Sequence, residues 1–170
     1  MEAAEVQEIS EKVRESGEKK IGLTMAIVAV LLALATMLGH RSHTDEVLVQ
    51  TKANDQWAYY QAKNIRSHMY EANFEMAQII QKDSPAADGF KKKSEEQKQD
   101  AEAIRVKAED LEQGVVKISR HAGRFDGAEI FLEIAIVLCS ITLLTDAASY
   151  WRLSFVSSGI GVVLMVSAFL

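Results

Sequence analysis

Three apolar blocks decide what this chain can fold into. They are Ile21–Gly39, about Ile130–Thr145 and Leu153–Leu170, each 16–19 residues long. A helix needs about 20 largely apolar residues to cross ~30 Å of hydrocarbon. Buried core helices can look alike, but this chain of 170 residues has almost no other apolar mass to enclose them. The blocks therefore read as membrane spans, with the lipid bilayer as the first partner. The overall composition hides this, because the 25% of residues that are charged lie mostly between the blocks. A net charge of -5 argues against broad nucleic-acid binding, so no nucleic-acid partner is expected.

Between the first and second blocks, from Thr44 to about Ala122, the pattern changes to heptads. Two long antiparallel helices are expected around one turn, Asp83-Ser84-Pro85-Ala86-Ala87-Asp88-Gly89. Pro85 suits a first helical position, and Gly89 offers a further break. In the second arm, Phe90, Ser94, Gln97, Ala101, Ile104, Ala108, Leu111, Val115, Ile118 and Ala122 alternate four and three. In the first arm, Leu48, Thr51, Asp55, Ala58, Ala62, Ile65, Met69, Ala72, Met76 and Ile79 alternate three and four. A period of 3.5 keeps one stripe against a partner helix. That register puts Trp57, Tyr60, Asn64, Ser67 and Phe74 on the opposite side of the first arm. Aromatics gathered on an outer stripe predict a second contact, so Trp57, Tyr60, Asn64 and Phe74 form the candidate interaction surface. Gly114, Gly123 and Gly127 suggest a bend before the second span.

The fold expected is an all-α integral membrane protein. Three transmembrane helices carry a long antiparallel, coiled-coil-like hairpin between the first and second. The divisions are a mixed-charge tail over 1–20, spans over 21–39, 128–146 and 151–170, and a hairpin over 40–127. Val6, Ile9 and Val13 fall on one side of a possible short helix in the tail. The first block has no small-residue cleavage site before Gly39 and reads as a retained span. Chain termination at Leu170, inside apolar sequence, suggests an incomplete C-terminus. The single cysteine, Cys139, excludes an intrachain disulfide framework.

Small residues recur inside the spans. Gly22, Ala26, Ala29, Ala33 and Thr36 make one seam, Ala135, Cys139 and Thr142 another, and Ser157 with Gly161 a small-xxx-small pair. Such seams let helix backbones approach closely in lipid. Glu129 and Glu133 open the second span, one helical turn apart. They read as interfacial acids at the helix N-terminal end, or alternatively as acids that bind a cation or pair with Arg41 or Arg124. His40 and His43 are too few to define a metal site. The link Thr145–Arg152 contains Tyr150 and Trp151, which suit an interfacial belt.

The run Asn54-Asp55-Gln56-Trp57, followed by Tyr60-Gln61-Ala62-Lys63, resembles the signature of an uncharacterised bacterial membrane-protein family. That family is one of the numbered domains of unknown function. Its members share this layout, and the resemblance covers nearly the whole chain. It implies three spans around a helical middle and no particular activity.

Nothing in the sequence assembles an enzyme. There is no Gly-rich phosphate loop, no zinc motif and no nucleophile with a placed base. No cofactor and no metal are expected. The expected function is a membrane scaffold or interaction protein, self-associating through its spans and hairpin as a homo-oligomer. An oligomeric channel or transport component is the alternative, as is an accessory subunit bound to an unidentified membrane protein. The expected location is a bacterial inner membrane with a cytoplasmic N-terminus.

Overall fold

The computed structural model describes the backbone of residues 2–81 and 85–169, with side chains from residue 15 onward in those ranges. The described residues form three helices and no strand: α1 (Glu2–Ile80), α2 (Pro85–Thr145) and α3 (Ala148–Ser167). Each is long and apolar enough to cross a membrane. The stripe read on Val6, Ile9 and Val13 lies outside the described side chains.

The helices run on where the sequence suggested breaks. Gly39–His43, at the expected division between first span and hairpin, lies inside α1, and Gly114, Gly123 and Gly127 lie inside α2. A Cβ at Gly114 would meet Val49 at 3.8 Å, and one at Gly127 would meet Leu164 at 3.4 Å. These two glycines sit where a neighbouring helix comes close. The expected turn is shorter too, because α2 begins at Pro85 and includes Ala86–Gly89; residues 82–84 are outside the described set. Proline at a first position loses no helical hydrogen bond, and Asp88 in the first turn complements the helix dipole. The second link also contracts, to Asp146 and Ala147, so Tyr150, Trp151 and Arg152 are already helical. Asp146 reverses the chain with φ 54°, a left-handed conformation that aspartate tolerates better than most residues.

The chain divides into two compact units, Met1–His43 with Ser119–Leu170, and Thr44–Ile118. The first has an apolar cluster of Val28, Ala35, Ala128, Leu132 and Ala135, flanked by Leu31, Leu32, Ile136, Leu164 and Met165. All three helices contribute to it. The second is built from the end of α1 and the start of α2, which pass each other in opposite directions. Lys63 Nζ donates to Asp100, Ser67 meets Ser94, and Tyr70 stacks on Phe90.

In the second unit the α2 stripe is the expected one. Ala87, Ser94, Ala101 and Ala108, seven residues apart, are buried, and Phe90, Gln97, Ile104 and Leu111 between them are half-buried. The α1 stripe is not the expected one. Ala53 and Ser67 are fully buried, with Trp57, Tyr60, Asn64, Tyr70 and Phe74 half-buried along the same face. Leu48, Ile65, Met69, Met76 and Ile79, expected inside, are exposed. The register of the first arm is thus corrected to the opposite side. The reason is volume: alanine and serine at every buried heptad position of α2 leave room that aromatic rings fill well.

Candidate functional site

Two groups of residues stood out in the sequence, the aromatics of the first arm and the acids of the second span. The structure gives each a local setting.

Trp57 and Tyr60 touch edge to face, with ring centroids 5.6 Å apart. They share a helix face with Ser67, which is fully buried against α2. The Ser67 and Ser94 hydroxyls are 3.2 Å apart, and each donates to the other residue's backbone carbonyl at 3.1–3.2 Å. The Trp57, Tyr60, Asn64 and Phe74 face therefore lies on the side of α1 that carries this packing, not on the outside. Ion pairs border it. Asp100, hydrogen-bonded to Lys63, raises the lysine pKa above its ordinary value. Lys98 and then His68 hold Glu71 below the usual carboxylate range. Arg105 donates to Glu102 and Glu109, which raise its pKa further, while Glu102 is lowered in return. The face left uncovered is the aliphatic one, where Ile65, Met69 and Met76 are 58–60% exposed and Ile79 85%.

In the first unit the two acids separate. Glu129 is half-buried and accepts a hydrogen bond from Thr36 Oγ1 at 2.8 Å. Neither Arg41 nor Arg124 supplies that partner; Arg124 donates to the Ser167 carbonyl at the end of α3. Beside it, His121 Nδ1 donates to the Ala168 carbonyl at 2.6 Å, and Phe125 meets Phe169 edge to face. His43 pairs with Asp126 at 3.0 Å. These contacts tie the end of α3 to α2, and α2 to α1. Glu133 is exposed, and no described residue forms a hydrogen bond or ion pair with it. Yet it follows Leu132, the fully buried centre of the apolar cluster. Among the described residues, no group of three or more His, Cys, Asp or Glu side chains could hold a metal.

The remaining polar side chains of the spans are used internally. Ser157 Oγ donates to the Phe131 carbonyl at 2.7 Å, and buried Cys139 donates to Ser154 Oγ at 3.3 Å. The Trp151 indole N–H reaches Thr24 Oγ1 at 3.3 Å, so this ring bridges α3 and α1 besides suiting an interface. The small seam Gly22, Ala26, Ala29 and Ala33 of α1 is exposed, because Val28, Ala35 and Gly39 face the other helices instead. Apolar periodicity alone did not reveal the Thr36–Glu129 pair or the Ser67–Ser94 pair; each needs the register between two helices.

The family model described as Domain of unknown function (DUF4337) matches residues 17–170. No curated protein matches the chain, and no solved structure does.

Proposed function

The chain belongs to the DUF4337 family, and from its three long apolar helices we propose that it is a non-enzymatic scaffold of a bacterial inner membrane, self-associating as a homo-oligomer. The apolar segments of α1, α2 and α3 span the bilayer, and Thr44–Ile118 is a helical hairpin outside the lipid. The observation that carries this reading is the uncovered aliphatic stripe of α1, Ile65, Met69, Met76 and Ile79. It lies among charged residues, where water would otherwise meet it, and removing apolar area from water stabilises by about 25 cal/mol per Å². A heptad-spaced stripe suits another helix. The exposed small seam Gly22, Ala26, Ala29 and Ala33 supports close helix approach in the lipid as well.

Native mass measurement of the full chain, in mild detergent and in lipid discs, is expected to give a multiple of 18.8 kDa. The double substitution Ile65→Lys, Met76→Lys should shift the protein toward smaller species while circular dichroism stays unchanged. A wild-type monomer in both media would sink the reading.

Topology follows from charge. Lys12, Arg14, Lys19 and Lys20 precede the first span, and Arg152 follows the link between the last two. With three spans these segments share one face. The basic residues of the other face, Arg41, Arg120 and Arg124, flank a connection longer than ~60 residues, where the positive-inside rule weakens. The N-terminus is therefore assigned to the cytoplasm and the hairpin to the outside. In a Cys139→Ala background, Asp88→Cys should react with an impermeant thiol reagent in intact spheroplasts. Reaction only after lysis would reverse the orientation.

A further inference from the structure

A carboxylate on the outer face of a span, at the level of its apolar core, is costly unless something receives it. Glu133 is in that position. Its neighbour one turn back, Glu129, is met by the Thr36 hydroxyl of α1. The two helices run antiparallel, so one turn further along α2 corresponds to one turn back along α1, at Ala33. Alanine offers no hydrogen bond. Ala33 and Ala29 are both exposed, which leaves room for another helix to come close to Glu133.

Resting on the self-association proposed above, we infer that Glu133 is received by Ser158 of a second copy, in the groove between its α1 and α3. Copies inserted in the same direction are related by rotation about the membrane normal. Rotation keeps every residue at its own depth, so Glu133 can meet only groups at its own level. Ser157 bonds the Phe131 carbonyl, and a Cβ at Gly161 would touch Leu132 and Ala128. These contacts set residues 157 and 158 of α3 level with residues 131–133 of α2. Ser158 lines an open groove of about 380 Å³ with Ile27, Leu31, Phe155 and Gly159. Gly159 has nothing within 4 Å of its Cβ position, so the groove is clear beside the serine. The Ser158 hydroxyl donates only to its own helix, to the Phe155 carbonyl at 3.2 Å. It can turn outward and donate to the Glu133 carboxylate without stranding that carbonyl, which is within the helical ladder. The acid lies on one shoulder of the bundle and the groove on another, so the contact is head-to-tail and repeats from copy to copy.

The experiment uses the full chain in phosphatidylethanolamine–phosphatidylglycerol vesicles. Two populations, Val137→Cys and Phe155→Cys, each with Cys139→Ala, are mixed and oxidised. Val137 lies one turn beyond Glu133 and Phe155 one turn before Ser158, so their levels also match. A disulfide between the two populations is expected, and little within either one alone. In the same lipids Glu133→Leu and Ser158→Ala should each weaken association about three- to tenfold, the range of one interhelical hydrogen bond. Glu133→Gln, which still accepts from a hydroxyl, should weaken it less than Glu133→Leu. Oligomers that form no mixed disulfide, or that are indifferent to Glu133→Leu, overturn this contact and leave self-association standing. A monomer under all conditions overturns both.

Discussion

Gly161→Val should pull α3 away from α2. A Cβ at residue 161 would stand 2.9 Å from Leu132 Cγ and 3.1 Å from the Ala128 carbonyl oxygen. The leucine can shift a little, but it is fully buried at the centre of the apolar cluster. The carbonyl belongs to the α2 backbone and cannot move without moving the helix. Even Gly161→Ala meets both atoms, and the valine methyls add more volume. Overpacking of this kind costs about 1–3 kcal/mol, and crowding against backbone should place it at the upper end. Alanine's gain in helix propensity over glycine, about 1 kcal/mol, only partly offsets the clash. The readout is Cys139, which is buried and bonded to Ser154 of α3. Its reaction with a membrane-permeant maleimide should accelerate strongly in Gly161→Val, less in Gly161→Ala, and not in Gly123→Ala, where nothing lies within 4 Å. Unchanged reactivity in Gly161→Val would contradict the close packing of the two helices.

The second large effect is expected at Ser67. This side chain is fully buried, and the two serine hydroxyls cross between α1 and α2 within 3.2 Å. Ser67→Ala removes hydroxyl bonds to a carbonyl that already has a helical donor, so nothing is left unsatisfied there. Its cost should be about 1 kcal/mol. Ser67→Leu requires new volume where each serine already reaches the other helix's backbone carbonyl, and should cost about 3 kcal/mol by driving the helices apart. Thermal unfolding followed by circular dichroism, together with proteolysis between α1 and α2, separates the two. Equal behaviour of the alanine and leucine chains would mean that the close serine contact does not hold.

The difference between these two sites explains what the sequence could and could not reveal. Lengths and apolar blocks alone made the three apolar helical segments legible, but not that α1 and α2 run on unbroken through their glycines. The buried stripe of α2 was legible because charged residues occupy its other faces, leaving one choice. The first arm of α1 carries two stripes of period 3.5, one aliphatic and one aromatic with Ala53 and Ser67. Hydrophobicity favoured the aliphatic stripe. The small residues Ala87, Ser94, Ala101 and Ala108 of α2 favour the aromatic one, and that preference belongs to the pair of helices. The same limit applied to the acids. Glu129 and Glu133 are equivalent by spacing; Thr36 and Ala33, almost a hundred residues away, distinguish them.

The link between α2 and α3 has a consequence for how copies can combine. It consists of Asp146 and Ala147, with the reversal made at Asp146 itself. Two residues reach about 7 Å at full extension. Exchange of an element between copies needs a connection that can open and cross to a neighbour. Here only two residues could open, and α3 is packed on the α2 from which it came, with Ser157 on the Phe131 carbonyl and Gly161 against Leu132 and Ala128. Each copy therefore enters the proposed assembly with its α2–α3 pair already closed. Subunits can join or leave by sliding apart as finished bodies, without lending a helix or unfolding one.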